Sequence, residues 1–138
     1  MTLMARQDKT RAVDRTYADT RLGDARAYLQ QADISLQLVD GPRRNATVVS
    51  SAVLAGIAAC DAACALALGM VSAGAHDQAV RLLARVSGST RAVGDLSKLM
   101  AIKTAAQYTG KSMAERQVRD AIARALRLVA YAESQRRR

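Results

Sequence analysis

The stretch ATVVSSAVLAGIAACDAACALALGM, residues 46–70, decides the fold. It has no Pro and only two Gly before Met70, and its apolar residues fall on every side of a helical projection. A helix that is hydrophobic nearly all round must be covered all round, so this segment is the central element of a helical domain. Gly56, Ala59, Cys60 and Ala63 give it a ridge without bulk along which another backbone can approach closely. One charge interrupts it, at Asp61. An unpaired carboxylate in such surroundings costs several kcal/mol or more, so Asp61 demands a partner.

Working outward, Ala25, Tyr28, Leu29, Ala32, Leu36 and Val39 follow the i, i+3, i+4 rule and predict a preceding amphipathic helix from Asp24, ended by Asp40-Gly41-Pro42. Beyond the central helix, Ser72-Ala73-Gly74-Ala75 reads as a loop. His76-Asp77 then opens a third helix carrying Ala79, Val80, Leu83 and Val86, which Ser87-Gly88-Ser89-Thr90 breaks. A fourth turns Val93, Leu96, Leu99, Met100 and Ala106 inward, with Lys103 on the same face, and ends near Thr109-Gly110. Ser112-Met113-Ala114-Glu115 has the form of a capping box, and it starts a fifth helix with Val118, Ala121, Ile122, Ala125, Val129 and Ala132 on one stripe. The prediction is an all-α, antiparallel bundle of about five helices with no strand signal. Residues 1–22 form a tail or an extra helix, 23–135 the bundle domain and 136–138 a basic tail.

The chain has 138 residues, enough for one core, and the core must be built from Ala, Leu, Val, Ile and Met because Phe and Trp are absent. Its net charge of +9 is concentrated toward the ends; the last three residues, Arg136, Arg137 and Arg138, supply three of those charges. Arg is favoured over Lys, a composition of GC-rich bacterial genomes. With Asp61 inside the best membrane-span candidate and no apolar leader at the N-terminus, the expected location is the cytoplasm. Cys60 and Cys64, four apart on a helix, lie too far apart at Cβ for a mutual disulfide. With His76 the only histidine, the chain lacks ligands for a closed zinc site, so no metal and no other cofactor is expected. Phosphate-loop and dinucleotide signatures are absent, and Thr109-Gly110-Lys111-Ser112 follows a helix rather than a strand.

No catalytic residue is assigned. Asp61 on the second helix and Lys103 on the fourth are lone inward charges of opposite sign, so they suggest a buried polar site to which Tyr108 adds a hydroxyl. The alternative is that Lys103 extends to the surface and Asp61 is satisfied by a hydroxyl or water. Arg116, Arg119, Arg124 and Arg127 on the last helix, with Arg136, Arg137 and Arg138, are the candidate nucleic-acid contacts, sequence-tolerant and salt-sensitive.

The order and spacing of ARAYLQQAD (residues 25–33), SAVLAGIAACDAACALALG (51–69), HDQAVRLL (76–83), DLSKLMAIKTAAQY (95–108) and VRDAIARALRLVAYAE (118–133) resemble the small bacterial HEPN-like proteins. The likeness covers roughly three-quarters of the chain. It implies a helical bundle, a homodimer, and in many members metal-independent RNA cleavage by an Arg-x4-6-His motif, often as a toxin beside a nucleotidyltransferase-like antitoxin. Here the positions that would carry the arginine before His76 are Gly69, Met70 and Val71, so the ribonuclease motif is missing. The resemblance therefore implies fold and pairing, with a binding or regulatory role toward RNA, a nucleotide or a partner protein. Its rivals are a ribonuclease with a substituted site at Lys103, Tyr108 and Asp61, and a purely structural dimerisation protein.

Overall fold

The computed structural model describes residues 8–108 and 113–138, apart from the side chains of 106–108. Along these the order is β1 (Thr10–Ala12), α1 (Arg15–Leu38), α2 (Arg44–Leu68), β2 (Met70–Ser72), α3 (His76–Leu83), α4 (Thr90–Tyr108) and α5 (Glu115–Arg136). The architecture is all-α in character, with five helices and one small sheet among the described residues.

α2 is the axis. Val48, Val49, Ala52, Val53, Ala58, Ala59, Ala62 and Ala63 are all buried, and α1, α5 and α4 pack around them. Its length and composition would suffice to cross a bilayer, but 67% of its most apolar window is covered by the protein itself. Gly56 shows why small residues recur: a Cβ there would lie 2.6 Å from Leu99 Cδ1 and 3.2 Å from Leu128 Cδ1, so both α4 and α5 press on this point. α2 ends at Gly69, whose φ of +69° is reached cheaply only by glycine, and whose N–H donates to the Ala65 carbonyl.

Side-chain pairs fix the directions. Arg21 meets Asp61 and Arg44 meets the Leu36 carbonyl, so α1 and α2 are antiparallel. Asn45 donates to the Met113 carbonyl at the start of α5, which places α5 parallel to α2. Asp95 on α4 meets Arg124 and Arg127 on α5, consistent with an antiparallel pair.

The structure departs from the sequence-based expectation at the N-terminus. The first helix starts at Arg15, not Asp24, because Asp14 caps it by accepting from the Tyr17 N–H at 2.9 Å, and Ala18 and Leu22 are core residues. Residues 10–22 are thus part of the folded unit. The charges that dilute the apolar stripe there, Asp19 and Arg21, are occupied by partners on other helices. The second departure is the sheet: β1 pairs antiparallel with β2, with Thr10 opposite Ser72, Arg11 opposite Val71 and Ala12 opposite Met70. Three residues per strand are too few to leave a readable alternation. At the other end, Arg136 belongs to α5 rather than to a separate tail. The proposed cap Ser112 lies outside the described residues; Ala114 is the N-cap of α5, and Gln117 Oε1 accepts from its N–H at 2.8 Å.

Candidate functional site

Asp61 answers its demand for a partner through α1. Arg21 Nε and Nη2 donate to its Oδ2 at 3.2 and 3.1 Å, while Arg21 Nη1 holds Asp24 at 3.0 Å. Lys103 is not that partner: it is half-exposed on α4 and makes no ion pair among the described residues, and the side chain of Tyr108 lies outside them. The expected Asp61–Lys103 pair is therefore not formed. The physical reason is position: α1 begins early enough to bring the Arg21 guanidinium alongside Asp61, where its planar fork binds the carboxylate, whereas α4 meets α2 at Gly56 through Leu99 and leaves Lys103 half-exposed. Placing residues 1–22 outside the bundle hid that guanidinium.

Around this pair gather Arg11 from β1, Tyr17 from the first turn of α1 and His76 from the first turn of α3. The Arg11 guanidinium carbon lies 5.1 Å from the centre of the Tyr17 ring. Burial pushes the Asp61 carboxyl above its ordinary range, and the opposing charges of Arg21, Arg11 and His76 do not fully cancel it. Burial and the Asp61 charge likewise push the Tyr17 phenol up, so it is a neutral hydrogen-bonding group at neutral pH. His76 is exposed. Within this cluster the side-chain hydrogen bonds among the described residues are those of Arg21 with Asp61 and Asp24.

A second acidic centre has no counterpart in the sequence analysis. Asp95, only 3% exposed, receives Arg124 Nη1 at 2.9 Å on Oδ1, Arg127 Nη2 at 2.8 Å on Oδ1 and Arg127 Nε at 3.0 Å on Oδ2. Burial pushes its carboxyl up, but hydrogen bonds and charge from Arg127 and Arg124 outweigh it and leave the group below its ordinary range. The signal was present: Ala92, Asp95, Leu96 and Leu99 form one i, i+3, i+4, i+7 face, and Asp95 is its only charge. This centre divides the candidate nucleic-acid arginines. Arg124 is held by Asp95 and Asp120, Arg127 by Asp95, and Arg136 by Asp19. Arg116, Arg119, Arg137 and Arg138 have exposed side chains and no carboxylate partner among the described residues.

The two thiols are buried and unbridged. Hydrogen bonding with Cys64, then burial, push the Cys60 thiol well above its usual range, which makes it a poor nucleophile. Among the described residues no group of three or more His, Cys, Asp or Glu side chains could hold a metal ion.

An uncharged surface extends along α1 and α2. The outward stripe of α2 runs Thr47, Ser50, Leu54 and Ile57, with Arg43 before it and Asp61 after it. On α1, Gln31, Ile34 and Leu38 continue alongside. Leu38 is 76% exposed, and Leu54, Ile34 and Val39 are also exposed, leaving Leu126 on α5 as the one large exposed apolar side chain elsewhere among the described residues. A shallow depression of about 460 Å³ between the two stripes is lined by Gln31, Arg43, Thr47, Ser50 and Leu54. No protein-family model matches the chain, and no curated protein is similar to it in sequence.

Proposed function

We propose that this chain is a HEPN-like bundle acting as a homodimeric, non-catalytic binding or regulatory module in the cytoplasm. The observation that carries the reading is the uncharged α1/α2 face. Monomeric surfaces scatter exposed aliphatics singly, whereas here four of them share one end of a two-helix face. A second copy is the occupant that the charges favour. Arg43 and Asp61 bracket the apolar stripe and are separated by about 27 Å at 1.5 Å per residue. A twofold axis beside the middle of α2 lays the Arg43 end of one copy against the Asp61 end of the other, with Leu54 near its own symmetry mate. Asp61, whose burial exceeds the compensation Arg21 gives it, gains a second cation in that arrangement.

The non-catalytic half of the proposal rests on chemistry. Gly69, Met70 and Val71 occupy the positions where the ribonuclease motif needs an arginine, and they form the cap of α2 and the start of β2. A single exposed imidazole without an arginine at that sequence spacing does not make up the motif by which the family cleaves RNA. Any RNA affinity then falls to the unpaired arginines Arg116, Arg119, Arg137 and Arg138, and a nucleotidyltransferase-like protein is the partner the resemblance would supply. The test is solution mass together with Leu54→Arg. Leu54 is 41% exposed, so the substitution leaves the fold intact while placing two like charges at the axis. The wild-type chain runs as a dimer and the variant as a monomer of unchanged helicity; a monomeric wild type refutes the proposal. RNA cleavage by the purified protein that is lost on His76→Ala refutes the non-catalytic part.

A further inference from the structure

At the opposite end of α2 from the start of its uncharged stripe, the last turns of α2 and α5 and the α3–α4 connection enclose a depression of about 400 Å³. Leu66, Leu68 and Val86 give it apolar walls, and Arg85, Arg138 and Gln135 supply polar groups. No acidic side chain lines it. Neither guanidinium has a carboxylate partner among the described residues, in contrast with Arg81 one turn earlier, which is taken up by Asp8 and Asp77. Gln135 is 7% exposed, and its amide Nε2 is the one buried side-chain nitrogen or oxygen left without a hydrogen-bond partner among the described residues.

Two arginines beside helix C-termini are favourable by themselves, since cations complement the negative end of the helix dipole. That does not account for Gln135. A leucine would fill the same space without burying an unsatisfied N–H donor, which costs on the order of 1–3 kcal/mol. Gln135 lines the depression, and a turn of its side chain brings the unused donor to the opening, beside two unpaired guanidiniums and three apolar side chains; that set matches a ligand with an oxyanion at one end and hydrocarbon at the other.

We infer that this depression is a binding site for a phosphate monoester carried on a short apolar body. A tetrahedral dianion offers acceptor oxygens in several directions, enough for two guanidiniums and an amide N–H at once, where a carboxylate carries half the charge and offers fewer. The site lies away from the proposed dimer face and does not depend on it.

The experiment is a calorimetric titration of the full chain, in chloride buffer, with inorganic phosphate, n-butyl phosphate and n-butyrate. Butyl phosphate saturates and binds about tenfold more tightly than inorganic phosphate, because part of its chain leaves water against Leu66, Leu68 and Val86. Butyrate binds most weakly. Arg85→Gln reduces butyl phosphate affinity at least tenfold with an unchanged melting temperature. Gln135→Leu also weakens binding, yet raises the melting temperature of the free protein, since it removes the unused donor. Uridine 5′-monophosphate in place of butyl phosphate separates a nucleotide source from an alkyl phosphate one, and either preference upholds the site. Leu54→Arg binds as the wild type does, so a failure of the dimer proposal is distinguishable from a failure of this one. Absence of saturable binding, butyrate binding as tightly as butyl phosphate, or affinity indifferent to both Arg85→Gln and Gln135→Leu overturns the inference.

Discussion

Asp95→Asn isolates the interaction that ties α4 to α5. The carboxylate is 3% exposed and accepts three charge-assisted hydrogen bonds of 2.8–3.0 Å. Losing one partner of a buried ion pair costs about 3–5 kcal/mol when the other is stranded. Here the stranded partners are not deeply buried: the Arg124 and Arg127 side chains are 23% and 36% exposed, and Arg124 keeps Asp120. They rehydrate, so the loss for Asp95→Asn falls to about 2–3 kcal/mol. The reverse deletion is worse. Arg124→Met with Arg127→Met leaves a buried carboxylate with no cation and costs the full ~3–5 kcal/mol, while either single replacement costs about 1–2 kcal/mol because one arginine still serves. Urea unfolding followed by circular dichroism on the four variants reads these values. The two arginine substitutions are therefore more than additive; strict additivity, or a cost below about 0.5 kcal/mol for Asp95→Asn, refutes the claim that this cluster is a buried, fully compensated centre.

Three further outcomes follow from the same structure. Asp95 has a folded pKa below its unfolded value, so its contribution is present above the ordinary carboxylate range near 3.8 and is lost as pH falls through the lower folded value; Asp61 is raised, so its contribution is present below that range and lost as pH rises through the raised value. Asp61→Asn therefore changes stability by less than about 1 kcal/mol at pH 7, with Arg21 still held by Asp24, and a wild-type-minus-variant difference that grows more favourable with rising pH contradicts this. Gly56→Ala gains about 1 kcal/mol of helix propensity but forces Leu99 aside, for a net loss of about 1–2 kcal/mol in thermal or urea unfolding; a more stable variant shows that α4 does not press on α2 there. In filter binding to single-stranded RNA, neutralising Arg116, Arg119, Arg137 and Arg138 flattens the dependence of log K on log salt, whereas Arg124→Gln with Arg127→Gln changes stability far more than the slope, and the opposite pattern relocates the interface.

Much of the bundle was legible because helical periodicity is a local signal that survives small errors of boundary. Residues 46–70 mark the buried axis, and Leu83, Leu96, Leu99 and the stripe of the fifth helix lie in or against the core as the periodicity predicts, whereas α3 ends at Leu83, before Val86, and the side chain of Ala106 lies outside the described residues. What failed depended on distant contacts. Arg15, Asp19 and Arg21 look like solvated tail charges in one dimension, and only folding shows that Asp61 and Arg136 take two of them up. The same holds for Asp61 and Lys103: two inward charges of opposite sign on helices that pack together do not reveal that α1 brings an arginine to Asp61. The arginine-rich face of the last helix looks uniform in one dimension, although Asp95 on the neighbouring helix neutralises its middle. Asp95 itself is legible in the stripe it shares with Leu96 and Leu99, where it is the one charge on a buried face.

The central claim, a dimer built on the α1/α2 face, is tested most directly by light scattering on the full chain at tens of micromolar. The account predicts a mass twice the 14.7 kDa of one chain, falling to a single chain in Leu54→Arg with the helical circular dichroism unchanged. A wild-type mass of 14.7 kDa contradicts it, as does a dimer that Leu54→Arg leaves intact.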